Sequence, residues 1–184
     1  MRLRFNERKA TQSAARLLQL RGGRMSYLKL IKLLYLADRE ALLRWGRPIT
    51  TDRFVSMEGG PVLSRLLDLV SDGDDPGGPR IWAKHISAPA NFEVELKSEA
   101  GRDELSNAEI ELLDEIFKRY GNKNRWELVD LTHKPPEWKD LQGSAIPITF
   151  RDILNAGGKT ELEIAAIEDE LEGVALAETV FGAR

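Results

Sequence analysis

From Ser26 to Val70 the apolar positions fall at helical spacing, then in a short extended run, then at helical spacing again, with turn residues between. The segment after Ser26 is nearly all apolar and stops at Gly46, which has no β-carbon and suits the left-handed position that ends a helix. Pro48 prevents continuation. Phe54 to Met57 reads as a short extended run, and Pro61, lacking an N–H, is expected as the first residue of a helix to Val70. One position disturbs the first of these helices. Asp38 has Leu34 and Leu42 four residues to either side and Tyr35 and Ala41 three to either side, so its carboxylate falls on the apolar face. A core-facing Asp must be paired or hydrogen-bonded.

Outside this block, Asn6 is the expected N-cap of a helix that runs through Ala10, Ala14, Leu17 and Leu18 to Gly22-Gly23. Ser71 to Pro79 is the clearest loop. Arg80–Ile86 and Phe92–Lys97 are candidate strands, the second alternating Phe92, Val94 and Leu96 with charged residues. Ser106 with Glu109 and Asn124 with Glu127 form capping boxes for two helices, the second ended by Pro135-Pro136. Thr149 with Asp152 opens a short helix closed by Gly157-Gly158, and Thr160 with Glu163 opens a last one to about Val180. Its Ile164, Ile167, Leu171 and Val174 make one apolar stripe. The expected fold is mainly α (α+β): a single helical domain over 1–184 with a small inserted antiparallel β-sheet of two or three strands.

Composition narrows the class. With 42% hydrophobic and 31% charged residues in 184, this is ordinary globular protein, and zero cysteines leave no disulfide or thiol chemistry. No apolar run is long enough to span a bilayer and no signal peptide is recognisable, so a cytoplasmic location and no membrane partner are expected. The net charge of −3 conceals an asymmetry: residues 1–53 hold 13 Lys/Arg against 4 Asp/Glu, and the remainder 14 against 26. That basic third either contacts nucleic acid or offsets the acidic remainder within one fold; the second is preferred, because its charges are spread singly among apolar residues.

Candidate chemistry is sparse. His133 follows Asp130 by three positions, so a carboxylate–imidazole pair is one reading, and a histidine at the negative end of a helix dipole is the preferred one. The paired glycines fit no phosphate-binding spacing, and neither a cofactor nor a metal is expected. For Asp38 a pin to Arg47, Arg53 or the Thr50-Thr51 segment is preferred over catalysis. Lys29, Lys32 and Arg39 alternate with Leu36 and Leu43 on the other side of that helix, so another element covers them or they form a partner surface. Trp45, Trp82, Trp126 and Trp138 divide between core and interface, with at least two expected in the core.

KLIKLLYLADRE, then GRPITTDRFVSMEGGPVLSRLLDLV, then LTHKPPEW resembles, in that order, the Panacea-domain family of bacterial and phage proteins, which includes SocA-like antitoxins and GepA-like phage-associated proteins. The resemblance covers 11–138 and leaves the C-terminal helices, 149–181, as variable. Matching positions are Lys29, Lys32, Leu33, Tyr35, Asp38, Arg39, Gly46, Arg47, Pro48, Asp52, Gly60, Pro61, Val62, His133 and Trp138. Gly59 departs from the pattern, in which Tyr or His commonly stands. The resemblance implies a non-enzymatic antitoxin that neutralises a cognate protein toxin by direct binding.

The expected contact surface is the Thr51–Gly60 turn and its surroundings: Thr51, Asp52, Arg53, Glu58 and Gly59, with Lys29, Lys32 and Arg39. Tyr35, Asp38, Arg47, Pro48, Gly60, Pro61, His133 and Trp138 are the structural signature. Three alternatives stay open: nucleic-acid binding or operon autoregulation through the basic third, an interaction role or protease adaptor without a toxin, and an enzyme using Asp38, Glu58 or His133. Homo-oligomerisation also stays open, because the acidic last helix can complete the core, form a dimer seam or dock on a basic toxin.

Overall fold

The computed structural model describes residues 3–73, 79–140 and 142–182. The helix α1 (Glu7–Arg21) is capped by Asn6, whose side chain accepts the Lys9 N–H, and ends at Gly22. Strand β1 (Arg24–Ser26) leads into α2 (Tyr27–Trp45), which closes at Gly46. The central element is α2. Helix α1, α5 (Asn107–Tyr120), α6 (Arg125–Thr132) and α7 (Phe150–Ala156) all pack against it, and it contributes Leu30, Ile31, Leu33, Leu34, Tyr35 and Leu42 to the core.

Two small antiparallel sheets flank these helices. Strand β2 (Phe54–Met57) pairs on one side with β3 (Gly60–Leu63), Val55 opposite Val62, and on the other with β5 (Ile146–Ile148), Phe54 opposite Ile148. The second sheet joins β1 to β4 (Glu93–Glu95), with Met25 opposite Val94.

Three local expectations are corrected. Pro61 lies in β3 rather than at a helix start, and α3 (Ser64–Asp72) begins three residues later. The reason is remote: Asp52 accepts the N–H groups of Arg65 and Leu66 at 3.0 and 2.9 Å, supplying the cap that Leu63 has no side chain to provide. Arg80–Ile86 is not a strand. Trp82–His85 forms one helical turn, α4, because the buried Glu7 carboxylate accepts the N–H groups of Ile81 and Trp82, and the extended segment after it pairs chiefly with β1. Of residues 80–86, Ile86 bridges to Leu96 and the His85 carbonyl accepts the Lys97 N–H. The loop expected from Ser71 starts later, since α3 continues through Asp72 to Gly73; residues 74–78 of that loop lie outside the described residues.

All four capping boxes occur, the last opening α8 (Glu161–Phe181). Trp82 is buried and Trp138 half-buried, while Trp45 and Trp126 are exposed. The basic N-terminal third is engaged largely within the chain. Lys9 pairs with Glu109, Arg16 with Asp114 through two nitrogens, Arg44 with Glu115, and Arg47 with Glu178. These contacts weigh against a nucleic-acid footprint, because phosphate binding needs such charges presented on one free face.

Candidate partner-binding site

Charged residues from α2 and from the segment after α6 converge beneath the β2–β3 hairpin. Lys32 is 0% exposed and its ammonium donates to the Pro61 carbonyl at 2.9 Å. Loss of water pushes its pKa down to about 8. Gly60, with φ +98°, makes room for this approach: a β-carbon there would lie 2.7 Å from Lys32 Nζ and 2.9 Å from His133 Nε2. Only glycine meets both the dihedral and the space requirement.

The other side of the hairpin is held by the segment that follows Thr132. Trp138 Nε1–H donates to the Met57 carbonyl at 2.9 Å, and the His133 ring stacks on the Trp138 indole at 3.9 Å between centroids. Ser56 Oγ donates to the Lys139 carbonyl and accepts the Lys139 N–H. His133 therefore joins a clamp; its Nε2 is buried without a hydrogen-bond partner among the described residues, and burial followed by the nearby Lys32 charge lowers its pKa. Between Pro136 and Trp138 stands Glu137, which the sequence reading did not single out. It accepts the Tyr35 hydroxyl at 3.2 Å and pairs with Arg39, while its second oxygen is buried without a partner among the described residues. An acid wedged into a proline-terminated segment, with Arg39 on the apolar helix to be matched, was the available signal.

Asp38 joins α2 to the chain after Pro48. It accepts the N–H groups of Ile49 and Thr50 at 2.9 and 3.1 Å and the Thr50 hydroxyl. Burial pushes its pKa up to about 7, against the lowering effect of the Thr50 hydrogen bonds. Of the three partners considered from sequence, the Thr50-Thr51 segment supplies the pin. Arg47 instead reaches Glu178, 3.7 Å away, and Arg53 points outward. Asp52 is 1% exposed, and burial pushes its pKa up to about 6.

Placement thus divides the residues expected at a partner surface. Lys29, Lys32, Thr51 and Asp52 are buried, Lys29 donating to the Gly121 carbonyl. Arg53, Glu58 and Gly59 are exposed at the hairpin, and Arg39 retains a partly exposed side chain. Asp38, Glu58 and His133 do not meet in a shared cleft. None lines the cleft of about 510 Å³ beside Arg4, Glu7 and Arg47, nor that of about 390 Å³ between Glu137 and Asp152.

Residues 30–139 match the family model described as antitoxin SocA-like, Panacea domain. The chain belongs to this family. No curated protein and no solved structure matches it. The Panacea segment holds every residue of the clamp, from Lys32 to Lys139, while α1 precedes it and α7 and α8 follow it. Antitoxin-like is therefore the family's general role for this chain.

Proposed function

We propose that the protein is an antitoxin that binds and masks a cognate protein toxin by direct contact, with no chemistry of its own. Membership of the antitoxin family over residues 30–139 carries the reading. The use made of that segment supports it. Its buried polar groups hold a hairpin, through Lys32 on Pro61 and Trp138 on Met57, and Asp38, Glu58 and His133 converge on none of the described clefts. A turn held this way presents Arg53, Glu58 and Gly59 with little freedom left to lose, which lowers the entropic cost of binding.

The test begins with the neighbouring gene. Expressing its product alone should arrest growth, and co-expressing this chain should relieve the arrest and yield a complex on purification. An Arg53→Glu/Glu58→Arg chain should remain folded and relieve the arrest less well. A neighbour that is harmless when expressed alone would overturn the antitoxin reading, leaving a phage-associated interaction role.

A further inference from the structure

The last helix carries a second face that no other part of the described chain covers. Ile164 and Leu171 point inward, as the apolar stripe requires. On the opposite side Leu162, Ala166, Asp169, Gly173, Leu176 and Val180 recur at alternating steps of four and three, the spacing of a coiled-coil seam. Leu162 is 83% exposed, Leu176 65% and Val180 60%. Large apolar side chains recurring in water along one helix mark a contact surface.

Two observations specify what fits there. The helix bears seven acidic residues and no basic one. Glu163 and Glu170 flank the seam on one side and Glu172 on the other, and Asp169, Glu170 and Glu172 meet no cation among the described residues. Like charges along the flanks, with Asp169 inside the seam, oppose pairing with a second copy and favour lysine or arginine opposite. Gly173 is the other. Glycine is a poor helix former, and a β-carbon added here would meet nothing within 4 Å, so the fold itself has no use for the missing side chain. Beside Ala166 it lets the backbone of another helix approach closely.

We propose that this face docks an amphipathic helix of the partner protein, with an apolar seam flanked by lysine or arginine. The inference rests on the partner-binding reading above. It assigns the scaffold to the Panacea segment and the choice of partner to α8, beyond residue 139.

The test titrates the full chain with a synthetic three-heptad peptide carrying leucine at the seam and lysine at the flanks. A glutamate-flanked version and a scrambled lysine version serve as controls. Saturable binding is expected, with amide shifts confined to α8, and about tenfold weaker for the glutamate peptide and for a Leu162→Ser/Leu176→Ser chain. Glu170→Lys/Glu172→Lys keeps the seam and should reverse the preference between the two peptides. No saturable binding, equal binding of the scrambled peptide, or shifts outside α8 would overturn the proposal. So would a dimer of this chain that the leucine substitutions dissociate. A Leu162→Ser/Leu176→Ser chain that still relieves growth arrest removes this inference and leaves the antitoxin reading; lysine-peptide binding by a chain whose neighbour is harmless does the reverse.

Discussion

Helices α2 and α8 are of similar length, 19 and 21 residues, and they distribute polarity in opposite ways. The first buries Lys29, Lys32 and Asp38 in the middle of the fold; the second leaves Leu162, Leu176 and Val180 in water. In α2 each buried charge has a specific acceptor or donor, so the cost of desolvation is offset and the polar groups fix how the hairpin and the Ile49-Thr50 segment sit. In α8 Ile164 and Leu171 enter the core while Leu162, Leu176 and Val180 stay mostly in water. One helix is finished by the fold, and the other keeps an apolar face for the proposed partner.

The comparison breaks first at Asp38. Asp38→Ala leaves the N–H groups of Ile49 and Thr50 unsatisfied in the core and should cost about 3 kcal/mol. For a chain of this size the thermal midpoint should fall by roughly 6–12 °C. A midpoint unchanged on calorimetry would contradict the pin. Gly60→Ala comes next, at about 2 kcal/mol, since the added carbon meets both a left-handed dihedral and the Lys32–His133 approach. Denaturant titration checks it, and the Trp138 environment should change in fluorescence, because the indole is bonded to the same hairpin.

The buried charges of α2 and its neighbouring turn also predict a pH dependence. Asp38 and Asp52 bind protons more tightly in the folded chain than in the unfolded one, so their contribution to stability is full below about pH 4 and falls as pH rises through about 6 to 7. Lys32 behaves oppositely. Its folded pKa of about 8 lies below the unfolded value near 10.5, so its burial penalty is relieved between those two pH values and stability rises there. A minimum near pH 7 to 8 is expected in stability measured against pH, and Lys32→Met should shrink the alkaline limb to the part supplied by Lys29, whose pKa burial also lowers. An alkaline limb unchanged in the variant would assign it to another group.

The smallest effect on stability belongs to α8. Leu162→Ser/Leu176→Ser should change unfolding free energy by no more than about 0.5 kcal/mol, since both side chains are already exposed. A loss above about 2 kcal/mol would show that this face packs within the chain after all.

How far each region could be read from sequence follows from how local its causes are. The capping boxes at Ser106, Asn124, Thr149 and Thr160 link residues three apart, and all four form as expected. The caps that were missed come from far away: Asp52 serves α3 and Glu7 serves α4, the latter across 74 residues. Strand β4 was legible from its alternation, but its partner β1 was not, since pairing depends on how α1 and α2 bring the chain back. In the clamp, Lys32, His133 and Trp138 stood out through the family resemblance, while Glu137 became meaningful only once Arg39 and Tyr35 were placed beside it. The outward face of α8 escaped notice because alanine, glycine and an aspartate dilute its periodicity. Exposure, not pattern, reveals it.

The division between a finished scaffold and an unfinished helix is tested most directly by amide hydrogen exchange on the full chain, alone and in complex with the neighbouring gene's product. Glu161–Phe181 should gain protection on binding, while Leu30–Asp38, already buried, should change little. Unchanged exchange along α8 in a stable complex, with new protection confined to α2, would contradict that division.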